Sequence, residues 1–348
     1  MTIDVRTDRP YRVPIAPGVL GRIGEIAARH KKPGTKAMIV SETNVFPLYG
    51  ERAKASLEQA GFQVSAFVFP AGEEHKQIST ICDMYKALSQ AGFTRTDFIV
   101  TLGGGVTGDM GGFAAATFLR GIDFFQAPTS LLSMVDASVG GKTGVDLPFG
   151  KNLVGAFHQP MAVAADTEAL RTLPDYFFRD GMGELIKHGC IADKQLFADL
   201  QAGAALHSLE EVIGRSVAIK RDFVEADTRD TGRRMILNFG HTFGHALEKL
   251  HSFKGLAHGE AVGIGMVMAC RAGESLGVTQ PGTAEQVRAV LAQYGLPTED
   301  AFTAEQVVEA TALDKKSDGD TLRLILLTEI GKSVIYPITR KALLEALV

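Results

Sequence analysis

The chain of 348 residues carries 36 Lys and Arg against 40 Asp and Glu, a net charge of -4. That length exceeds one typical core and suits two domains; the balanced charge leaves no basic footprint for nucleic acid, and the longest uncharged apolar run, residues 261–270, falls far short of a bilayer span, so no membrane partner is expected. The first residues lack the apolar core of a signal peptide, so a cytoplasmic location is expected; Cys82, Cys190 and Cys270, odd in number and far apart, read as small buried residues and not as a disulfide framework or zinc knuckle.

A short first strand and a turn near Pro14 and Gly18 precede helical spacing over residues 21–30. Residues 37–41 read as an apolar strand ending in Glu42, Thr43 and Asn44. Helical periodicity resumes over about 48–60 and Gly61 stops it. Residues 64–69 alternate as a strand, the polar loop 70–76 with Glu73 and Lys76 follows, and a further helix spans roughly 78–91. Strand and helix in alternation is the grammar of a doubly wound parallel sheet, whose ligands bind beyond the carboxyl ends of the strands.

Residues 98–102 are a buried-strand run that passes directly into Gly103-Gly104-Gly105-Val106-Thr107-Gly108-Asp109. Glycines let the backbone turn tightly and approach a phosphate, while the helix starting there directs free N–H groups at the anion; a dinucleotide pyrophosphate suits such a turn. Alone, the pattern is equally a tight strand-to-helix turn, and its place in an alternating α/β half is what favours the nucleotide. The usual strand-end acid about twenty residues later is missing. Glu42, ending an earlier strand, is the candidate for the ribose hydroxyls.

Residues 118–130 read as a further strand ending in the hydroxyls of Thr129 and Ser130, and the polar stretch 136–160 then holds Asp136, Lys142, Asp146, Lys151 and Asn152. Lysines beside glycines suit a phosphate or an anionic sugar; a solvated loop is the competing reading. From about Leu173 and Pro174 the pattern turns helical, and the domain boundary is placed there, giving domains 1–173 and 174–348. Residues 213–226 form an amphipathic helix carrying Lys220, and the loop 229–234 leads into a histidine-rich segment. Near the end, 322–327 and 334–336, joined through Gly331 and Lys332, predict a small hairpin.

The chemistry concentrates in residues 234–248, with Arg234, Asn238, His241 and His245, and in the following His258-Gly259-Glu260. Two histidines four apart on a helix lie about 40° apart around its axis, so both rings address one point. That geometry suits a metal; the alternative is rings hydrogen-bonded in a core or on a surface. The helix opened at His258 returns a third imidazole. Glu184, three residues before Lys187 on one helical face, is a fourth candidate. Two histidines plus one carboxylate, with a position left for water or substrate, is a recurrent catalytic zinc set.

The ordered motifs Gly103 to Asp109, Gly140-Gly141-Lys142-Thr143-Gly144, Gly150-Lys151-Asn152-Leu153-Val154-Gly155-Ala156-Phe157, Glu184-Leu185-Ile186-Lys187 and Leu237-Asn238-Phe239-Gly240-His241-Thr242-Phe243-Gly244-His245 together closely resemble the 3-dehydroquinate synthase family of sugar-phosphate cyclases, over essentially the whole chain. The resemblance implies an α/β N-terminal Rossmann-like NAD domain, a mainly α-helical C-terminal domain bearing zinc or cobalt, an interdomain active site and a homodimer. It implies conversion of 3-deoxy-D-arabino-heptulosonate 7-phosphate to 3-dehydroquinate and phosphate in the shikimate pathway. The steps are oxidation by NAD, loss of phosphate, reduction, ring opening and aldol closure.

Carried over motif by motif, the likeness makes Glu184, His241 and His258 the metal ligands and moves His245 to the substrate phosphate. Lys142, Asn152, Asn238 and one of Lys315 or Lys316 join it there, with Arg120 arriving from the neighbouring subunit. Arg234 and Lys220 meet the substrate carboxylate, and Asp136 and Lys187 sit near the hydroxyls that are oxidised. NAD contacts fall on Glu42, Asn44, Glu73, Lys76, Gly105, Val106, Thr107, Gly108, Asp109, Thr129, Ser130, Lys142 and Lys151. Residues 142–152 and 314–319 are lid candidates. Three positions depart from the family pattern: Ala71 and Asp146 stand where Asp and Asn are expected, and Ser130 follows Thr129 where two threonines are common. The competing readings are a cyclase of another sugar phosphate, a metal-dependent polyol dehydrogenase, and a structural metal-binding protein. The last leaves the glycine turn and the lysines unexplained.

Overall fold

Apolar strands buried on both faces need a layer of helices on each side, and the first half of the chain is built that way. The computed structural model describes residues 1–203, 207–311 and 321–348. Backbone packing divides it into two units, Met1–Leu173 and Pro174–Val348.

In the first unit an antiparallel pair, β1 (Thr2–Val5) and β2 (Tyr11–Pro14), leads to α1 (Ile23–Ala27). Then β3 (Lys36–Glu42), α2 (Phe46–Gln59), β4 (Gln63–Phe69), α3 (Ile78–Gln90), β5 (Phe98–Gly103), α4 (Gly105–Thr117) and β6 (Asp123–Pro128) alternate. After the pair β7 (Lys142–Leu147) and β8 (Gly150–Phe157), the two-residue β9 (Ala162–Val163) closes a parallel sheet of order β4-β3-β5-β6-β9. Period-two alternation splits its side chains. Ala37, Ile39, Phe98, Val100 and Phe125 pack with Leu20, Ile23 and Leu57 on one face, whereas Met38, Val40, Ile99 and Phe124 pack with Ile81, Met84, Met110 and Phe113 on the other. The chain leaves β3 outward for β4 and returns for β5 on the opposite side. The switch point therefore falls between the carboxyl ends that carry Glu42 and Gly103.

Sequence expectations are corrected at two points, the first being Cys82, read as buried with Cys190 and Cys270 but exposed where those two are buried. The strand expected from residue 118 begins only at Asp123, because Leu119 and Arg120 adopt φ of 51° and 69° in a 3-10 turn, Phe118–Arg120, and left-handed residues cannot continue a strand. The stretch 142–157, for which a solvated loop was the competing reading, is an antiparallel hairpin, with a register shift between Val145 and Leu147.

The second unit carries α5 (Asp175–Ala192), α6 (Lys194–Gln201), α7 (Leu209–Ala226), a 3-10 turn at Arg233–Asn238, α8 (His241–Leu250), α9 (His258–Ser275), α10 (Thr283–Gln293) and α11 (Ala304–Ala310). The hairpin of β10 (Thr321–Glu329) and β11 (Lys332–Thr339) and the terminal α12 (Arg340–Leu347) complete it. Among the described residues no helix is long and apolar enough to cross a membrane.

Glycines decide how closely three of these helices meet. A Cβ on Gly259 would stand 1.9 Å from the Asp180 carbonyl oxygen and one on Gly183 2.4 Å from that of Gly259, so α5 and α9 cross main chain against main chain. A Cβ on Gly265 would lie 2.0 Å from the Gly240 carbonyl oxygen, which brings the start of α8 equally close to α9. The crossing of α5 and α9 is pinned by the Gly259 N–H, which donates to Asp180 Oδ1 at 2.6 Å.

Candidate active site

Those crossings fix the neighbours of Glu184, one residue after Gly183, and of His258, one before Gly259. Glu184 is 1% exposed, and neither carboxylate oxygen accepts a hydrogen bond of ordinary geometry. Its surroundings are cationic or metal-seeking. Lys187 forms an ion pair with Oε2, while Nε2 of His241 and Nε2 of His258 stand 3.4 and 3.5 Å from Oε1.

The outer nitrogens explain why both rings point that way. His241 Nδ1 lies 3.1 Å from the Phe239 carbonyl and His258 Nδ1 3.2 Å from Glu248 Oε1. Both partners are acceptors, so each Nδ1 carries a proton and each Nε2 is the nitrogen left to face Glu184. Donors about 2.0–2.1 Å from a tetrahedral zinc lie about 3.3–3.4 Å apart. The observed spacings match, and the ligand atoms of Glu184, His241 and His258 lie within 4.8 Å of one another. The donor set, the buried carboxylate and the spacing all fit a divalent ion.

Electrostatics divide the three. Burial opposes the charge of Glu184, but Lys187, His241 and His258 together outweigh it and hold its carboxyl well below the usual range. Burial pushes His241 well down against the pull of Glu184. For His258 burial is outweighed by the carboxylates of Glu184 and Glu248 on either side of the ring, which push its pKa up to about 10, so an ion at Nε2 would have to displace a proton there.

The HxxxH pair is split. His245 is exposed, its ring centroid 5.4 Å from that of His241 and 6.0 Å from that of His258, while the contacts to Glu184 come from His241 and His258. One helical turn brings two rings close but does not aim both nitrogens at one oxygen. Among its described residues the second unit also buries Lys187 on α5, Lys220 on α7 and Arg234 in the 3-10 turn, which packs against both helices. Asn238 ends that turn, half-buried.

In the first unit, Gly103 closes β5 and α4 begins at Gly105 with no side chain capping its N-terminus. A Cβ on Gly103 would meet Thr107 Oγ1 at 2.5 Å, and one on Gly111 would meet Thr101 at 2.4 Å, so these glycines press the helix onto its strand. Thr107 Oγ1 is buried with no hydrogen-bond partner. An uncapped helix start beside an unsatisfied hydroxyl fits a nucleotide phosphate. Val106, Gly108 and Asp109 share that first turn, Thr129 is buried with its N–H donating to the Gly103 carbonyl at 2.9 Å, and Ser130 Oγ bonds Ser133 Oγ at 2.9 Å. Glu42 turns back on its own loop, accepting the N–H groups of Asn44 at 2.6 Å and Val45 at 3.0 Å.

Lys76, 5% exposed, donates to Asp109 Oδ2 and to Asn152 Oδ1, both at 2.7 Å. Burial works against its charge, but Asp109 and Glu73 more than offset it and raise the pKa. Glu73, in turn, is raised mainly by burial, against Lys76 and against Lys151, 3.8 Å away. Asp146 Oδ1 accepts the N–H of Asn152 at 2.7 Å, and its own N–H donates to the Lys76 carbonyl at 2.8 Å. Lys142 is exposed at the start of β7, Asp136 is half-buried in a π-turn at Ser133–Ala137, and Arg120 is exposed. Lys315 and Lys316, and the lid expected at 314–319, lie outside the described residues. Sequence reading gave no role to Glu248 or Asp180; Glu248 was findable, standing seven residues after His241 and three after His245 on one helix face.

Models of the N-terminal and C-terminal parts of 3-dehydroquinate synthase match residues 66–180 and 181–317. The 3-dehydroquinate synthase of Clostridium beijerinckii is 46% identical over 334 residues, 94% of this chain and 95% of that protein. Among solved structures, 2-deoxy-scyllo-inosose synthase complexed with carbaglucose-6-phosphate, NAD+ and Co2+ superposes with a TM-score of 0.86 at 25% identity, over 100% of this chain and 99% of the other. ValA, a 2-epi-5-epi-valiolone synthase from Streptomyces hygroscopicus subsp. jinggangensis 5008 with NAD+ and Zn2+ bound, gives 0.87 at 26% identity, over 99% and 98%. The two models meet where α5 carries the chain toward Glu184, and with near-complete coverage by a relative far above one-third identity the chain belongs to the 3-dehydroquinate synthase family.

Proposed function

We propose that this chain is a lyase that converts 3-deoxy-D-arabino-heptulosonate 7-phosphate to 3-dehydroquinate and phosphate in the shikimate pathway. The observation that carries the reading is the buried Glu184–His241–His258 cluster in a unit that also buries Lys187, Lys220 and Arg234, in a chain of this family. When bound, NAD takes up and returns a hydride, and a divalent ion, zinc or cobalt, acts as a Lewis acid on the reacting alcohol.

Glu184, His241 and His258 would hold the ion. Arg234 suits the substrate carboxylate, since a guanidinium fork matches two carboxylate oxygens, with Lys220 as a second cation. Lys142, Asn152, Asn238 and His245 are assigned to the phosphate, holding it so that its departure needs little reorganisation. Asp136 and Lys187 are assigned to the hydroxyls, and Lys187 also balances the charge of Glu184. Glu42, Asn44, Glu73, Lys76, residues 105–109, Thr129, Ser130, Lys142 and Lys151 are assigned to NAD in an N-terminal domain of residues 1–173. The homodimer, and Arg120 reaching a neighbouring subunit, belong to the same proposal.

The cyclases that resemble the chain in structure are the second reading, and Arg234 with Lys220 favours a carboxylated substrate. The test offers the heptulosonate phosphate, glucose 6-phosphate and sedoheptulose 7-phosphate in turn. Phosphate release, product mass and NAD redox state are followed together. One phosphate per dehydroquinate with no net NADH is expected from the first substrate alone. Turnover of another sugar phosphate, or accumulating NADH, overturns the proposal.

A further inference from the structure

The two imidazoles that face Glu184 are held from behind by different chemistry. His241 Nδ1 meets a neutral backbone carbonyl, that of Phe239, at 3.1 Å. His258 Nδ1 meets a carboxylate, Glu248 Oε1, at 3.2 Å. Glu248 is 7% exposed, on the same helix as His241 but two turns along it, and so reaches His258 from the side opposite Glu184. A carboxylate behind an imidazole does two things that a carbonyl does less well: it fixes the ring's orientation and tautomer, and it makes the far nitrogen a stronger donor.

We propose that Glu248 is a positioning residue for the metal, acting through His258 and making it the stronger of the two imidazole ligands. This rests on the reading of Glu184, His241 and His258 as metal ligands. Glu248 does not enter that set, because its contact is with the outer nitrogen of His258. His245 completes a second group of ligand atoms with Glu248 and His258 within 4.8 Å. The Nδ1–H of His258 bonds Glu248, however, and this occupies the nitrogen a second ion would need there.

The test measures the affinity of the full-length protein for Zn2+ alone, by competition with a chromophoric chelator, in wild type, Glu248→Ala and Glu248→Gln. Glutamine keeps an acceptor for the Nδ1 proton and loses the charge. Wild type is expected to bind one ion per chain. Glu248→Ala should weaken it by about 10–100-fold and Glu248→Gln by less. In the zinc-loaded wild type, nitrogen-15 spectra should show a slowly exchanging Nδ1–H from His258 that Glu248→Ala loses. Equal affinity in all three proteins with wild-type circular dichroism overturns the proposal for Glu248, while a wild type that binds no zinc overturns the ligand assignment beneath it. Should Glu248→Ala fail to fold, Glu248→Gln and the wild-type spectrum decide. Unchanged affinity together with an unprotected Nδ1–H would refute the role.

Discussion

At the scale of single residues, the site's cations and its most deeply buried acid have separable signatures. Glu184→Ala should abolish zinc retention and turnover. It should also cost about 3–5 kcal/mol of stability, because Lys187 is then left buried without its partner. His241→Ala and His258→Ala should each lose retained zinc while keeping that ion pair, and so melt much closer to wild type. Metal analysis after gel filtration and thermal melts of the metal-free proteins check both halves; one zinc per chain in any variant removes that residue from the ligand set. Arg234→Ala should lower kcat/KM by about 10²–10³-fold. Arg234→Lys should recover only part of the loss, since an ammonium keeps the charge without the fork. Steady-state kinetics with the carboxylated substrate would show an unchanged value if the guanidinium has no part in recognition.

Elements carry the next set of constraints, and here legibility in the sequence was uneven. The sheet of the first unit was readable because its strands are apolar runs separated by helical periods, and residues 37–41, 64–69 and 98–102 all fall within observed strands. The hairpin β7–β8 was not: five of the eight residues of β8 are exposed, and its glycines and polar groups mimic a loop. The early strand start failed at Leu119 and Arg120, whose left-handed backbone no propensity predicts. At the site, spacing paired His241 with His245, but the approach of α9 to α5 depends on Gly183 and Gly259, which look like ordinary helix glycines until the helices are seen to touch. Gly259→Ala should therefore cost at least about 1–3 kcal/mol and lower zinc affinity, because the added methyl must push His258 away from Glu184. Chemical denaturation and chelator competition would measure the two effects. Within the hairpin, Asp146→Ala should speed amide exchange at Asn152 by about fivefold, the loss of about 1 kcal/mol. Asp146→Asn, which keeps the accepting oxygen, should not; equal exchange in both variants would show that the Asp146 contact does not shape that turn.

For the molecule as a whole, part of the acid limb of stability comes from one convergence in the first unit. Asp123 accepts from Arg9 at 2.6 Å and pairs with Lys31 at 2.7 Å. Burial raises its pKa, but these two partners outweigh that and bring it below 3.8. A carboxyl depressed on folding adds stability that is complete above its unfolded pKa and disappears as pH falls through that value toward the folded one. Asp123→Asn should thus lower the urea midpoint at neutral pH by the equivalent of about 1 kcal/mol and leave it nearly unchanged at about pH 3. Equal losses at both pH values would mean that shape, and not charge, is what Asp123 contributes.

The meeting of α5 and α9 reaches beyond any one of these variants. Where two backbones touch with nothing between them, the gap separating the acid from its facing imidazole is a dimension of the peptide itself. The apolar residues around it are then free to drift, enlarge or shrink over evolution without detuning the coordination distance, so long as two positions never acquire a side chain.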